Sequence, residues 1–418
     1  MTTFPKAPVR ASLVLLTAAL TACSWQTRPS SPEETTPVAR IWRKSAQARD
    51  FEHFTREGTR LTPEGQLELD PSSPAPADPF PGHTLPGTDS PLPEGGALVG
   101  RARSEVQAMP GGFDNVVPSF DVLTPPGTWV RLTLAARVEG EWTKDYDFGV
   151  WALEPGTVTR HSVERQEDAR GKVLTDTLVL KQKADGLRMT VWLFSTQPGT
   201  SPRVRALAAA VTDTGRTAPE EPSDQRAWGT VLEVPGRSQM LYPPHGGAWC
   251  SPTSVSMLLA YWSHRLSQDA LQVSVPVAAA SVHDAVYGGT GNWPFNTAYA
   301  SALAGGALHG LVARFDTFTQ VERLIAQGIP VSISVAYERG ELTGSPVPRS
   351  DGHLLVVKGF TPQGDVVCND PAFPSDDTVS VTYRREELLR AWDHSRRSAY
   401  LLWPAGTQLP PGALTFVP

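Results

Sequence analysis

The sequence predicts two folded parts, an all-β, sandwich-like module followed by an α+β domain. Three observations lead to this prediction. Short runs of alternating apolar and polar residues, separated by turn residues, fill much of residues 129–194, as is typical of antiparallel sheets. An apolar stripe with helical spacing follows Cys250. Strand-like apolar runs then return between residues 330 and 369.

Length and composition set the limits of this organisation. The chain has 418 residues, enough for two hydrophobic cores, and its formal net charge of -6 offers no basic patch for nucleic acid. Its 39 prolines concentrate in residues 71–93 and around 219–222, which predicts tether or linker rather than packed structure. The predicted boundaries are a signal peptide at 1–22, a tether at 23–37, a β module at 38–215 with a Pro-rich insert at 71–93, a linker at 216–228 and the α+β domain at 229–418.

The N-terminus predicts export and a lipid anchor. Lys6 and Arg10 precede an apolar run over residues 11–20, which is too short to span a bilayer but suits the core of a secretory signal. Residues 20–23, Leu-Thr-Ala-Cys, resemble the lipobox at which bacterial lipoproteins are cleaved and lipidated, here on Cys23. We therefore expect a lipid-anchored protein that faces the periplasm or the exterior. A chance cysteine after a signal peptide is the alternative.

The β module is predicted from its alternating runs. Turns are expected at residues 125–127, 155–156, 184–186 and 198–199, and residues 58–69 predict an added hairpin. The predicted strands are 129–136, 147–152, 175–180 and 187–194. Trp142 and Trp151 are candidates for a glycan or cell-wall binding surface, although aromatic side chains in a sandwich more often belong to its core.

Cys250 is the candidate nucleophile. It lies in the run Trp-Cys-Ser-Pro-Thr-Ser at residues 249–254, where Pro252 suits a first helical turn. The stripe that defines the helix consists of Val255, Leu258, Leu259 and Trp262. A thiol at a helix start faces unpaired backbone N–H groups and the positive end of the helix dipole, which stabilise a thiolate. The alternative is a small buried hydrophobic residue, the usual state of a free cysteine.

His353 and Asp370 are the candidate base and its orienting group. Residues 351–360 predict a buried strand, residues 361–365 a turn and residues 366–371 the returning strand. Folding this hairpin brings His353 close to the level of Asp370, and a carboxylate fixes the tautomer of a histidine and stabilises its imidazolium.

The chain offers a further polar candidate and two weaker histidines. Gln239, eleven residues before Cys250, could donate a side-chain N–H to an oxyanion beside the backbone N–H of Cys250. His245 is expected in a surface loop and His264 near a solvent-facing helix end. With three cysteines and no zinc-ligand spacing, the sequence predicts neither a metal site nor another cofactor.

Together these motifs resemble the papain-like peptidases of cysteine peptidase family 39, whose founding members remove double-glycine leaders from bacteriocins. The resemblance covers roughly residues 229–405 and includes the runs at 291–300 and 328–334. It implies a papain-like cysteine peptidase domain with a peptide or protein substrate. By residue, it implies Cys250 as nucleophile, His353 as general base and acid, Asp370 as orienting carboxylate and Gln239 as oxyanion donor.

The remaining elements fit a two-part architecture with the nucleophile on a helix and the base on a sheet. The cleft between these parts is the expected binding site, and Trp249 and Trp293 are candidates for its lining. The further elements predicted are helices at 268–280, 297–304 and 318–327 and strands at 330–336, 353–359, 366–369 and 379–383.

Several alternatives stay open from the sequence. Unlike the founding members, this chain has no P-loop pattern and no long apolar span after its N-terminus, so leader processing coupled to export is not expected. A papain-like site also serves amidases, transpeptidases and transglutaminases, and a surface-anchored binding protein could carry an inactive domain. Cys368, two residues before Asp370, could pair with Cys250 in an oxidising compartment.

Overall fold

The computed structural model describes residues 36–417, and these residues belong to one compact unit. The predicted signal peptide at 1–22, the lipidation site at Cys23 and the tether up to residue 35 lie outside the described residues. Within residues 36–417, no helix combines the length and apolar character needed to cross a membrane.

The N-terminal part is a large antiparallel sheet. Its order in the described chain is β2-β5-β11-β6-β12-β4-β3, with β1 on β12, β10 and β7 on β11, and β8 and β9 on β7. The strands are β1 Thr36–Ser45, β2 Thr55–Glu57, β3 Thr59–Leu61, β4 Leu67–Leu69, β5 Leu98–Arg103, β6 Gln107–Leu123, β7 Thr128–Val138, β8 Glu141–Trp142, β9 Tyr146–Trp151, β10 Gly171–Leu174, β11 Thr177–Ser195 and β12 Arg203–Ala218. Hydrogen bonds connect these strands into one antiparallel sheet.

One predicted turn in this module is wrong. Residues 184–186 lie inside β11, which runs through both of the strands that the sequence analysis separated there. Ala184 pairs with Phe113 and Gly186 with Ala108, and the register shifts on either side of Ala184. The Ala-Asp-Gly sequence therefore forms an irregularity that bends a long strand, which small residues permit as readily as they permit a turn.

The Pro-rich insert also differs from the prediction, because part of it packs on the sheet. Phe80 lies edge-on to Trp192, with ring centroids 5.4 Å apart. His83 is buried, hydrogen-bonds Asp78 over 2.7 Å and accepts the indole N–H of Trp129 at 3.3 Å. Prolines keep this segment out of the strands, but its aromatic side chains still cover an apolar patch.

The C-terminal part is a mixed α/β region around a second sheet, ordered β13-β18-β14-β15-β16-β17 in the described residues. The four helices and four strands predicted for this part are present, although α2 starts later than predicted. Its elements are α1 Cys250–Leu266, α2 Val275–Val282, α3 Trp293–Leu303, β13 Leu308–Arg314, α4 Phe318–Ala326, β14 Val331–Tyr337, β15 Ser350–Phe360, β16 Val366–Asn369, β17 Ser380–Tyr383, α5 Arg385–His394 and β18 Ser398–Pro404. Strands β13 and β18 and helix α5 were not predicted.

The two parts share a packed and hydrogen-bonded junction. Trp151 of β9 contacts Phe295 of α3, with ring centroids 5.3 Å apart. The buried Arg314 of β13 donates to the side chains of Asn115 at 2.5 Å and Thr212 at 3.2 Å. The predicted linker is ordered as well, since the hydroxyl of Thr319 in α4 donates to the carbonyl oxygen of residue 221 at 3.2 Å. A paired and buried boundary of this kind holds the two parts as one unit.

Candidate active site

Cys250 is the first residue of helix α1, and its thiol is half-buried. Pro252 occupies the first turn, where a missing N–H removes no helical hydrogen bond. Ser251, between Cys250 and Pro252, is buried, and its hydroxyl contacts the hydroxyl of Tyr400 on β18 at 2.8 Å. This contact fixes the helix start against the sheet. The thiol therefore lies where unpaired backbone N–H groups converge.

His353 lies on β15. Asp370 is the residue directly after β16, the strand that pairs with β15. Val356 pairs with Asn369, which brings the end of β16 alongside the middle of β15, three residues from His353. The Nε2 of His353 lies 2.7 Å from Oδ1 of Asp370, and both side chains are buried. The Cys250 thiol is close enough to His353 for the two side chains to interact electrostatically, and both line one cavity. The structure thus brings together the three residues that the sequence singled out.

Two further groups hold the carboxylate of Asp370. The hydroxyl of Tyr383 on β17 donates to Oδ2 at 2.7 Å, and the backbone N–H of Ala372 donates to Oδ1 at 3.0 Å. Sequence reasoning missed Tyr383, whose only signal was its place in the strand predicted next to Asp370. With these donors and His353, the buried carboxylate is fully hydrogen-bonded, as a buried charge requires.

The electrostatics of the three groups favour a charged pair. Burial raises the pKa of the Cys250 thiol, but the hydrogen bond and charge of His353 and backbone hydrogen bonds outweigh it, so the pKa falls below its ordinary value of 9.0. Burial lowers the pKa of His353, but Asp370 and Cys250 raise it well above 6.5. Burial raises the pKa of Asp370, but His353 and Tyr383 bring it below 3.8. These shifts favour a thiolate paired with an imidazolium.

Alkylation of Cys250 should show this charged pair directly. We expect iodoacetamide to modify Cys250 at lower pH than an ordinary thiol, because only the thiolate reacts. In His353→Ala the reaction should need a higher pH, because burial still raises the pKa of Cys250 and the positive charge of His353 no longer lowers it. Mass spectrometry of the Cys250 peptide measures both rates. Cys368 is an internal control, because it is buried and burial raises its pKa well above 9.0. Equal pH dependence in the two proteins would contradict the charged pair.

Gln239 is near the site but not in the predicted arrangement. Its Nε2 donates to the carbonyl oxygens of Gly246 and Gly247, each at 2.9 Å, and its buried Oε1 has no hydrogen-bond partner. Both N–H groups are therefore engaged with the loop before Cys250, and neither is free for an oxyanion. Gly246 fits closely, since a Cβ there would lie 2.0 Å from the backbone oxygen of Gln239. The backbone N–H of Cys250 remains the nearest candidate oxyanion donor.

A cavity of about 760 Å³ opens beside Cys250 and His353. Trp293 lines it, as predicted, together with the glycine-rich segment 287–291 and residues of the strand that carries His353. The other candidate, Trp249, lies outside the lining and instead packs between the rings of Tyr242 and His245, with centroids 6.1 and 6.4 Å away. The cavity is large enough for a peptide segment of several residues.

The remaining sequence candidates do not contribute to the site. Cys250 and Cys368 are both free thiols in the structure, so the alternative of a disulfide between them is not realised there. His245 and His264 are exposed, as expected. Among the described residues, no group of three His, Cys, Asp or Glu side chains is placed to hold a metal ion.

Two family models match this chain. Residues 41–212 match the family described as peptidase C39 N-terminal domain, and residues 231–400 match the Peptidase_C39 like family. Both parts of the chain therefore match C39 peptidase families. The second match includes Cys250, His353 and Asp370. The boundary between the two matches lies between the strands of the first sheet and those of the second.

One solved structure gives a weaker likeness. It is a crystal structure from Bacillus anthracis described as a C39-like peptidase, with 17% sequence identity and a TM-score of 0.32. The alignment covers 43% of this chain and 99% of that protein. No curated protein matches the chain.

Proposed function

We propose that this C39-like chain is a cysteine peptidase that hydrolyses a peptide or amide bond with Cys250, His353 and Asp370. The single observation that carries the proposal is the position of His353, which hydrogen-bonds Asp370 and lines the same cavity as Cys250. A nucleophile, a base and an orienting group in this order, facing a cavity, are the parts that acyl transfer needs.

The reaction follows from these positions. The Cys250 thiolate attacks the substrate carbonyl carbon, and the backbone N–H of Cys250 stabilises the resulting oxyanion. The His353 imidazolium gives its proton to the leaving amine, which departs and leaves a thioester on Cys250. His353 then takes a proton from water, the hydroxide attacks the thioester, and the acid product leaves as the thiolate re-forms. Gln239 could assist as a second donor once one of its N–H groups leaves the carbonyl of Gly246 or Gly247.

Incubation of the full chain with a peptide library and with isolated cell-wall fragments tests this function. We expect new amino termini from the peptides, detectable by mass spectrometry, and their formation should stop after alkylation of Cys250. Added amine nucleophiles separate hydrolysis from transfer, because a transferase would place the amine on the new carbonyl end. Turnover that continues after complete alkylation of Cys250 would exclude the proposed nucleophile.

We also propose that the enzyme is exported and anchored to the bacterial membrane through a lipid on Cys23. The proposal rests on the lipobox-like residues 20–23 and on the apolar run before them. It places the peptidase on the periplasmic or outer side of the membrane, where peptide, protein or cell-wall material is the available substrate. Glycan or cell-wall binding by the N-terminal module remains part of this proposal.

Fatty-acid labelling tests the anchor. In a bacterial host, we expect the chain to take up a labelled fatty acid and to fractionate with membranes. Cys23→Ser should abolish both, because the serine hydroxyl cannot take the thioether-linked lipid. Cys368→Ser is the matched control and should leave the label unchanged. Equal labelling of the Cys23→Ser protein would overturn the proposed anchor.

A further inference from the structure

Part of the cavity lining comes from the segment at residues 284–293, which we call the cleft wall. Tyr287, Thr290 and Trp293 of this segment line the cavity together with three glycines. Glycines at 288, 289 and 291 give the segment little intrinsic stiffness, because glycine restricts the backbone less than any other residue. A wall of this composition needs support from elsewhere to keep one shape.

Asp284 organises the start of the cleft wall. Its side chain is fully buried, and Oδ1 accepts the backbone N–H groups of Val286 at 3.1 Å and Tyr287 at 3.0 Å. Oδ2 accepts the side-chain N–H of Asn292 at 2.9 Å, which ties the start of the wall to its end. A third donor to Oδ1 of Asp284 comes from the N-terminal module: the backbone N–H of Ser162, at 2.9 Å.

Asp176 of the N-terminal module supports the other end of the cleft wall. It lies in the turn between β10 and β11, is buried, and accepts the backbone N–H of Trp293 on Oδ2 at 2.7 Å. Trp293 is the first residue of helix α3, so its N–H has no acceptor within the helix. A carboxylate at this point satisfies that N–H and also faces the positive end of the helix dipole.

Arg160 adds one contact before the wall and one at its start. Its guanidinium donates to the carbonyl oxygen of Ala280 at 2.6 Å, and its own carbonyl oxygen accepts the N–H of Ala285 at 3.0 Å. Hydrogen bonds from the N-terminal module thus reach residues 280, 284, 285 and 293. Within the wall, the hydroxyl of Thr290 donates to the carbonyl oxygen of Ala248 at 3.2 Å, close to Cys250.

We propose that the N-terminal module sets substrate affinity by holding the cleft wall, with Asp176 and Asp284 as positioning residues. The inference deepens the proposed peptidase function and rests on it. Neither carboxylate contacts Cys250, His353 or Asp370 through a hydrogen bond, so neither takes part in bond breaking. Their role is to keep Tyr287 and Trp293 where a bound peptide meets them.

Asp176→Leu in the full chain tests this role. Leucine is close in size but accepts no hydrogen bond, so we expect KM for a peptide substrate to rise about tenfold, the change expected when one buried hydrogen bond is lost. The value of kcat should change less than about threefold, because the reacting groups are untouched. Asp176→Asn should restore KM, since its amide oxygen can still accept the N–H of Trp293.

A second readout is independent of activity. Hydrogen exchange measured by mass spectrometry should be faster in residues 284–293 of Asp176→Leu and of Asp284→Asn than in the unchanged protein. Asp213→Asn is the matched control, because Asp213 is also a buried carboxylate of the N-terminal module but bonds to Lys183, Arg216 and Gly215 within that module. It should leave exchange of the wall unchanged.

The outcomes separate the two proposals. If the unchanged protein hydrolyses no peptide, the proposed function fails, while the exchange comparison still decides whether Asp176 and Asp284 hold the wall. Exchange and KM in Asp176→Leu that match Asp213→Asn would overturn the positioning role. A fall in kcat with unchanged KM would also overturn it, because that result assigns Asp176 to the chemical step.

Discussion

Cys250→Ala should lower kcat by about 10⁴-fold or more, because it removes the atom that forms the covalent intermediate in the proposed mechanism. Alanine fits the site without strain, since the thiol is only half-buried and its removal leaves helix α1 intact. Substrate binding should persist, because the cavity lining is otherwise unchanged. We therefore expect a folded protein that binds peptide but releases no product, measured by steady-state kinetics and by peptide affinity.

Cys368→Ala is the matched control for this prediction. Cys368 is the other thiol in the described chain, is fully buried on β16 and pairs with Val357 and Val381. Its replacement creates a small cavity that lowers stability, by about 1 kcal/mol for the lost sulfur contacts, but leaves the reacting groups in place. Activity of Cys250→Ala close to that of Cys368→Ala would show that another residue performs the reaction.

The sequence predicted those parts of the site that depend on one helix start or on one hairpin. Pro252 and the apolar stripe behind it define helix α1, and the turn before residue 366 defines the hairpin that carries His353 and Asp370. These features depend only on the spacing of apolar and turn residues along the chain, which can be read directly from the sequence. The 2.7 Å contact between the two side chains follows from that hairpin.

Contacts between distant segments could not be predicted in the same way. The N–H groups of Gln239 bind the carbonyl oxygens of Gly246 and Gly247, and no periodic pattern distinguishes this from a free amide aimed at an oxyanion. Asp176 reaches Trp293 over 117 residues of sequence, so only the packing of the two parts reveals it. Likewise, residues 184–186 form an irregularity within the long strand β11, although their sequence is typical of a turn.

Asp370→Ala is expected to lower kcat/KM by between about 10²- and 10⁴-fold, the usual range for loss of a general acid-base function. The change removes the acceptor that fixes His353 and the charge that favours its imidazolium. Asp370→Asn should lose less, roughly tenfold, because a neutral amide oxygen still accepts the His353 N–H but forms a weaker hydrogen bond than a carboxylate.

The pH profile distinguishes this role from a structural one. Activity should need the Cys250 thiolate and the His353 imidazolium, so kcat/KM rises with pH through the lowered pKa of Cys250 and falls through the raised pKa of His353. Removing the negative charge of Asp370 lowers the pKa of His353, and the alkaline limb should therefore move to lower pH in both Asp370 variants. Tyr383→Phe removes one donor to Asp370 but leaves its charge, so its alkaline limb should stay near that of the unchanged protein. An alkaline limb that does not move in Asp370→Asn would mean that the carboxylate only fills space beside His353.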